Sequence, residues 1–276
     1  MPNSILPTIR SLILDMDGVL YRLNTPIRGG AEFLAYLQET GRRFVLVTNN
    51  STLTPGQYAD KLSRMGIRVD ARHILTSAEA TAMYLSRLSP PGTRVYVVGE
   101  NGLRAALQKH GFVLADDITV SYVVCGLDRQ LTYDKLATAT LAIRSGARFI
   151  ATNPDRTLPT ERGLEPGAGA VFSAIQVATD TAPTVIGKPE PAMLELAMTM
   201  LNATTPGTAI IGDSLETDIR GGRALGLKTV LLMSGVTSPQ QLAHSAQKPD
   251  LVYQDISALL ADWHASDSIQ PLPQGD

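Results

Sequence analysis

Short apolar runs that stop at polar residues are the feature that most restricts the fold of this chain. Three of these runs end at Asp15, at Thr48, and at Gly212 and Asp213. Runs of this length that are bounded by polar residues predict buried strands that stop at loops. Segments with apolar residues at helical spacing, such as 30–40, lie between the runs. Strands that alternate with helices predict an α/β fold in which helices cover both faces of a parallel sheet.

A break in this alternation predicts a second domain. The sequence Pro90-Pro91-Gly92 interrupts the pattern, which then resumes. Clusters of Pro and Gly mark loops and domain boundaries. We therefore expect a Rossmann-like core domain formed by residues 1–89 and 183–276, with a smaller α/β domain inserted at residues 90–182. Within the insert, residues 152–169 are rich in Pro and Gly, and a long segment without regular structure is usually functional.

Composition and charge argue against several classes of protein. The chain of 276 residues has a formal net charge of -2, which gives no electrostatic support for a nucleic-acid partner. No apolar stretch reaches the ~18 residues of a membrane span, and Asp15 interrupts the only apolar run near the N-terminus, so we expect neither a membrane segment nor a signal peptide. The single cysteine, Cys125, lies in an apolar stretch and fits a buried thiol in a reducing compartment. We therefore expect a cytoplasmic protein.

The segment Asp15-Met16-Asp17-Gly18 carries the first chemical signal. Asp and Gly both favour turns, so a turn without function is one interpretation of this segment. A calcium-binding loop is excluded because Gly18 comes too early for the glycine of such a loop. Two carboxylates at the end of one strand repel each other unless a cation or a shared proton offsets their charge. Mg²⁺ fits this need, since it binds one or two carboxylates together with phosphate oxygens.

Later strand ends supply groups that complement these carboxylates. In a parallel α/β sheet, the carboxyl ends of the strands lie at one edge, and ligands bind there. Asp15, Thr48 with its neighbour Asn49, and Asp213 would meet at this edge, and a further turn adds Lys188. Carboxylates, a hydroxyl, an amide and an ammonium group suit a phosphate monoester with Mg²⁺. The cations offset the phosphoryl charge, and a carboxylate can attack phosphorus.

Four motifs in order make this chain resemble the haloacid dehalogenase (HAD) superfamily of phosphotransferases. The motifs are Asp15-Met16-Asp17-Gly18, Thr48-Asn49-Asn50, Lys188-Pro189 and Gly212-Asp213-Ser214-Leu215-Glu216-Thr217-Asp218. The large insert between the second and third motifs resembles the class IIA (C2) cap of the NagD and 4-nitrophenyl phosphatase branch. The supporting stretches in the insert are 126–129, 151–155 and 166–169. The likeness covers nearly the whole chain.

The resemblance implies a role for each acidic motif residue. Asp15 is the nucleophile and forms an aspartyl-phosphate. Asp17 is the general acid for the leaving alcohol and then the general base for the water that attacks the phosphoenzyme. Mg²⁺ is held by the Asp15 carboxylate, the main-chain carbonyl of Asp17 and the Asp213 side chain, while Asp218 supports these ligands from behind.

The resemblance also implies which residues recognise the substrate. Thr48, Asn49 and Lys188 hold the transferring phosphoryl group. A segment of the insert lies over the active site as a specificity loop, although an exposed charged loop is the alternative interpretation of this segment. Its candidate residues are Asn153, Asp155, Arg156 and Glu161.

We therefore expect an Mg²⁺-dependent phosphatase that acts on a small phosphorylated metabolite. Two alternatives stay open: a phosphomutase, which shares the aspartyl-phosphate step, and a regulator that binds a phosphorylated metabolite without turnover. A dehalogenase is disfavoured because Asp17 supplies an acid and base that halide displacement does not need. The oligomeric state is also open, with a homodimer as one candidate.

Overall fold

The computed structural model describes residues 5–269, and its contacts divide the chain into two compact units. The first unit comprises Met1–Val47, Asp60–His73 and Ala197–Asp276, and the second comprises Thr48–Ala59 and Ile74–Leu196. The domain boundaries expected at residues 90 and 182 stay a prediction.

Strands and helices alternate along most of the described chain. The strands are β1 (Ser11–Asp15), β2 (Tyr21–Arg22), β3 (Thr25–Pro26), β4 (Arg43–Thr48), β5 (Ile74–Thr76), β6 (Arg94–Val98), β7 (Val113–Leu114), β8 (Tyr122–Cys125), β9 (Arg148–Ala151), β10 (Thr157–Thr160), β11 (Gly163–Pro166), β12 (Thr184–Val185), β13 (Thr208–Gly212), β14 (Lys228–Leu232) and β15 (Leu251–Tyr253). The α-helices are α1 (Gly30–Glu39), α2 (Pro55–Arg64), α3 (Ser77–Ser86), α4 (Asn101–Lys109), α5 (Tyr133–Arg144), α6 (Ala168–Thr179), α7 (Pro191–Met200), α8 (Arg220–Ala224), α9 (Pro239–His244) and α10 (Ile256–Ile269). A π-helical turn at Leu215–Ile219 precedes α8.

A parallel sheet forms the centre of the first unit. Its strands follow the order β15-β14-β13-β1-β4, and every pair is parallel. All residues of β1 and β13 are buried, which explains why the central residues of these strands form continuous apolar runs rather than an alternating pattern. Leu14 pairs with Ile211, so Asp15 and Gly212 follow at the carboxyl ends of two adjacent strands. This register confirms that two of the strand ends predicted to carry functional residues lie side by side.

A second parallel sheet forms the centre of the second unit, in the order β12-β9-β8-β6-β7. Buried side chains from β8, β9, α5 and α6 form a core on this sheet, and Cys125 lies within it with no exposed surface. Burial raises the pKa of the Cys125 thiol well above its usual range, so the thiol is inert, as the sequence predicts. The two parallel sheets confirm the α/β fold class.

The prediction that residues 152–169 lack regular structure is wrong. Part of this segment forms an antiparallel hairpin of β10 and β11, in which Pro159 pairs with Leu164 and Thr157 with Pro166. Proline has no N–H for a ladder and is therefore a poor strand signal, but edge strands tolerate it. Because each strand of this hairpin contains a proline, the sequence pattern does not predict it.

The C-terminal helix is longer than its apolar pattern indicates. The pattern predicts a helix that ends near Trp263, whereas α10 continues to Ile269. Trp263 is fully buried, and its ring packs 5.7 Å from the ring of Phe33. Residues 270–276, part of the tail that we expect to be irregular, lie outside the described residues. No helix within residues 5–269 combines the length and the apolar character that crossing a membrane requires.

Candidate active site

Three buried carboxylates meet at the carboxyl ends of β1 and β13. Asp15, Asp213 and Asp218 each offer a carboxylate oxygen, and these oxygens all lie within 4.8 Å of one another. Asp15 ends β1, whereas Asp213 and Asp218 follow the adjacent strand β13. Buried carboxylates this close repel one another strongly unless a cation or protons offset their charge. Oxygen donors in this arrangement suit a hard divalent cation such as Mg²⁺, so the residues present fit the metal.

The backbone packs closely around Asp213. The Asp213 Oδ2 atom accepts a hydrogen bond from the Val236 N–H at 2.7 Å. A Cβ atom added at Gly18 would lie 2.2 Å from this Oδ2, and one added at Gly235 would lie 1.7 Å from it. Gly18 also has a φ of 78°, a conformation that favours glycine. Only glycine at both positions leaves Asp213 its place beside Asp15.

A π-helical turn places Asp218. Ser214 caps this turn by accepting a hydrogen bond from the Thr217 N–H, and its own N–H donates to Asp218 Oδ2 at 3.2 Å. A Cβ atom at Gly212 would lie 2.2 Å from the Asp218 Cγ atom. Turns of π-helix occur often at functional sites because the extra residue redirects a side chain. The family resemblance implies that Asp218 supports the metal ligands from behind, and the structure brings one of its carboxylate oxygens within 4.8 Å of those of Asp15 and Asp213.

Asp17 lies just beyond the carboxylate cluster in a different environment. Desolvation by surrounding protein atoms raises the pKa of Asp17, while the charges of Lys61 and Arg22 oppose this shift. Burial in turn lowers the pKa of Lys61, whose Nζ atom lies 4.1 Å from the centre of the Tyr21 ring. A carboxyl group with a raised pKa keeps its proton closer to neutral pH, which is the state that a general acid needs.

The remaining predicted residues of the motifs form a hydrogen-bonded cluster around Asn49 in the second unit. The Asn49 Nδ2 atom donates to the main-chain oxygen of Lys188 at 2.9 Å and to Asp155 Oδ1 at 3.0 Å. The main-chain oxygen of Asn49 accepts from Asn153 Nδ2 at 2.6 Å and from the Ser77 hydroxyl. Asn49, Asn153 and Lys188 are all buried. Asn49 therefore connects the second motif to the third motif and to the start of the predicted specificity loop.

Close backbone approaches keep this cluster in place. A Cβ atom at Gly187 would lie 2.7 Å from Asn49 Oδ1 and 2.5 Å from the main-chain oxygen of Thr152. Among residues 5–269, the buried Oδ1 atom of Asn49 has no hydrogen-bond partner. The Thr48 hydroxyl accepts a hydrogen bond from the Asn50 N–H at 3.2 Å, which fixes the turn that follows β4.

The structure separates the four predicted residues of the specificity loop into two pairs. Asn153 and Asp155 belong to the cluster around Asn49. Arg156 and Glu161 are exposed, and Glu161 lies in the turn between β10 and β11. Their part in recognition stays a prediction.

Two family models match this chain in the regions that carry the site. One, described as haloacid dehalogenase-like hydrolase, matches residues 12–113, and the other, described as HAD-hydrolase-like, matches residues 185–259. An acid sugar phosphatase from Staphylococcus haemolyticus is 42% identical over 253 residues, which cover 92% of this chain and 96% of that protein. The chain belongs to the haloacid dehalogenase-like hydrolases.

Solved structures place the chain within this family. NagD from Escherichia coli K-12 has a TM-score of 0.84 and 36% sequence identity, with 91% of this chain and 98% of that chain covered. A glycerol phosphate phosphatase from Mycobacterium tuberculosis, solved in complex with magnesium, has a TM-score of 0.87 and 32% identity, with 94% of this chain and 78% of that chain covered. The similarity to NagD confirms the branch of HAD-like hydrolases that the motifs predict.

Sequence patterns alone do not reveal several residues around the candidate active site. Lys61 lies on α2, where its spacing is that of an ordinary solvated lysine. Ser234, whose hydroxyl donates to the main-chain oxygen of Gly18 at 2.6 Å, follows β14 without any motif. Gly235, three residues after the end of β14, offers a sequence signal, because a glycine near the end of a buried strand often marks a close backbone approach.

Proposed function

We propose that this chain hydrolyses small phosphate monoesters through an aspartyl-phosphate on Asp15, with Mg²⁺ as its cofactor. The observation that carries this proposal is the group of buried carboxylates at the ends of two adjacent parallel strands, with the exposed Asp17 two residues after Asp15. A site for binding alone needs no second acidic residue with a separate environment. Two carboxyl groups in different environments are the arrangement that nucleophilic and acid–base catalysis together require.

The proposed reaction has two steps that use the same two residues. In the first, a carboxylate oxygen of Asp15 attacks phosphorus, the ester P–O bond breaks, and Asp17 gives its proton to the leaving alcohol. In the second, Asp17 takes a proton from a water molecule, which attacks the aspartyl-phosphate, releases inorganic phosphate and restores the Asp15 carboxylate. An acid that becomes a base in the next step returns the enzyme to its starting state.

The carboxylate cluster supplies the ligands for the proposed cofactor. Asp15 and Asp213 would hold Mg²⁺, and Asp218 lies close enough to hold it directly or to orient Asp213. When bound, the ion would offset negative charge on the phosphoryl oxygens. The magnesium complex of the related glycerol phosphate phosphatase supports this choice.

We infer that Thr48, Asn49 and Lys188 form the part of the site that binds the phosphoryl group, and that each has a different role. Both N–H groups of the Asn49 side chain are already engaged, so this side chain contributes by holding the Lys188 main chain and the Asp155 carboxylate. The Lys188 ammonium group would offset phosphoryl charge, and the Thr48 hydroxyl would donate to a phosphoryl oxygen.

The substrate class is a small phosphorylated metabolite, and sugar phosphates are our first candidates. The curated relatives named acid sugar phosphatase support this choice. The glycerol phosphate phosphatase among the solved structures makes glycerol phosphates the second candidates. The cytoplasmic location and the homodimer stay predictions from the sequence.

Release of inorganic phosphate from a substrate panel tests the proposal. The panel contains 4-nitrophenyl phosphate, sugar phosphates, glycerol phosphates, nucleoside monophosphates and pyridoxal phosphate, each assayed with Mg²⁺ and with EDTA. We expect release that depends on Mg²⁺ and falls by several orders of magnitude in Asp15→Asn, because a neutral amide is a poor nucleophile. Asp134→Asn, an exposed change on α5, is the matched control and should keep full activity.

Other outcomes of the same assay separate the alternatives. Transfer of phosphate to another hydroxyl of a sugar, without release, would identify a phosphomutase. Saturable binding without release or transfer would identify a regulator. Phosphate release that survives in a folded Asp15→Asn variant would contradict the proposed mechanism.

A further inference from the structure

The strand order of the second sheet reverses between β6 and β8. The chain passes from β6 through α4 to β7 on one side, and then returns to the other side for β8, β9 and β12. Right-handed crossovers therefore send α4 and α5 to opposite faces of the sheet. A crevice opens where the connections diverge in this way, beyond the carboxyl ends of the two strands. In open α/β sheets this switch point is where ligands bind.

A pocket of about 600 Å³ lies at this switch point. Its lining comes only from the segments that follow β6 and β8, and all of them belong to the second unit. The lining residues are Gly99, Glu100, Asn101, Arg104, Asp128, Arg129, Gln130 and Lys135. The volume lies in the range of pockets that hold small molecules. None of Thr48, Asn49, Asn153, Asp155 and Lys188 lines the pocket, so it is separate from the cluster around Asn49.

Two ion pairs brace the walls of this pocket. The Arg129 guanidinium donates to both carboxylate oxygens of Glu100, at 2.7 and 2.6 Å, and so joins the segment after β8 to the segment after β6. This hydrogen bonding lowers the pKa of Glu100. Lys135 at the start of α5 donates to Asp128 Oδ2 at 2.7 Å and to the main-chain oxygen of Gln130 at 3.0 Å. Side chains held in this way form a site that needs little ordering when a ligand binds.

Arg104 is the cation of this pocket that the protein leaves unpaired. Its side chain is half-buried on the first turns of α4, and it makes no ion pair or side-chain hydrogen bond within the part of the chain that the structure describes. Glu100 offsets Arg129, and Asp128 offsets Lys135, so Arg104 leaves the pocket with one net positive charge. A half-buried guanidinium is a strong donor for a phosphate or carboxylate group.

We propose that this switch-point pocket binds a small anionic metabolite that carries hydroxyl groups. Its phosphate or carboxylate group binds Arg104, and its hydroxyl groups bind the side-chain amides of Asn101 and Gln130. The polar lining and the absence of large apolar side chains select a hydroxylated compound over an apolar one. This second site does not depend on the proposed phosphatase activity.

Titration by NMR of the full-length chain tests this site. The protein is ¹⁵N-labelled Asp15→Asn without metal, so that phosphate esters are not consumed. The probes are inorganic phosphate, ribose 5-phosphate, 3-phosphoglycerate and citrate, added to millimolar concentrations. We expect saturable shifts of the amide signals of Gly99, Asn101 and Gln130 with at least one hydroxylated anion, on a binding curve distinct from that of Asn49 and Asn153.

Variants of Arg104 test whether this residue binds the anion. Arg104→Gln should weaken binding at the pocket by about tenfold or more, since it removes a charge-assisted hydrogen bond. Arg104→Lys should restore part of the affinity, and thermal melts of both variants should match the parent. Arg94→Gln, at the opposite end of β6, is the control and should bind like the parent. No saturable shift with any probe, or unchanged binding in a folded Arg104→Gln variant, would overturn the proposal.

Discussion

The side-chain amide of Asn49 donates a hydrogen bond to the main-chain oxygen of Lys188 at 2.9 Å. The same nitrogen donates to Asp155 at 3.0 Å, so one buried amide fixes both the residue that precedes Pro189 and a residue that follows β9. Substitution of Asn49 should therefore disturb stability and catalysis together.

We expect Asn49→Asp to lower the free energy of unfolding by about 1–3 kcal/mol. A carboxylate cannot donate either hydrogen bond, each of which contributes about 0.5–1.5 kcal/mol, and it places a second negative charge beside Asp155. The value of kcat/KM for 4-nitrophenyl phosphate should fall as Lys188 loses its restraint. Denaturant unfolding and steady-state kinetics measure the two effects. Asn202→Asp, on the exposed surface, is the matched control, and equal behaviour of the two variants would show that the Asn49 bonds contribute nothing.

Much of the fold and part of the site follow from local sequence. The strands at Arg43–Thr48, Arg94–Val98, Arg148–Ala151 and Lys228–Leu232 have the bounds that the apolar runs predict, because buried parallel strands are continuous apolar segments between polar ends. The adjacency of Asp15 and Asp213 also follows, since both end such strands. These features depend on a pattern within a few residues or on one general rule of sheet topology.

The features that the sequence does not reveal depend on contacts between distant residues. The hairpin of β10 and β11 is stabilised by cross-strand pairing despite its prolines. Lys61 and Asp17 lie far apart in the sequence, and no spacing records the approach of their charges. The pairing of Glu100 with Arg129 likewise joins two segments that are separated by α4, β7 and β8. Such contacts require the tertiary structure.

Asp213 should control metal affinity. Asp213→Asn removes one of the three negative charges of the buried carboxylate cluster, so the Mg²⁺ concentration that gives half-maximal activity should rise by about tenfold or more. Glu216→Gln is the control, because Glu216 is exposed on the same segment and should leave this concentration unchanged. Titration of activity with Mg²⁺ after treatment with EDTA measures both variants. An unchanged Mg²⁺ requirement in folded Asp213→Asn would remove Asp213 from the metal site.

Gly18→Ala should damage the site without a change of charge. An added Cβ would lie 2.2 Å from Asp213 Oδ2, and alanine at a φ of 78° is strained. We expect a loss of stability of about 1–3 kcal/mol. The Mg²⁺ concentration that gives half-maximal activity should rise as well, since Asp213 must move. Gly41→Ala is the control: Gly41 has a φ of 66°, but within the described part of the chain no non-local heavy atom lies within 4 Å of its added Cβ. Gly41→Ala should reproduce the backbone strain but leave the Mg²⁺ concentration for half-maximal activity unchanged. An equal change of this concentration in the two variants would refute the role of the Gly18 contact.

The loop residues should affect substrate choice more than the chemical step. We expect the triple variant Asp155→Ala, Arg156→Ala and Glu161→Ala to change the ratios of kcat/KM between sugar phosphates and glycerol phosphates, by about 1–3 kcal/mol for each charge contact that is lost. Hydrolysis of 4-nitrophenyl phosphate, which offers little to recognise, should change less. Glu161→Ala alone separates the exposed turn from Asp155, which also binds Asn49. An unchanged ranking of substrates would place specificity elsewhere in the chain.

Trapping the phosphoenzyme tests the central claim most directly. The full-length protein is mixed with Mg²⁺ and 4-nitrophenyl phosphate, quenched within one turnover and treated with borohydride, which reduces an acyl phosphate to an alcohol. Mass spectrometry then identifies the modified side chain. We predict modification at Asp15, with none in protein that has not been exposed to substrate. Modification at another residue, or rapid turnover with no trapped species and undiminished activity in Asp15→Asn, would contradict the account.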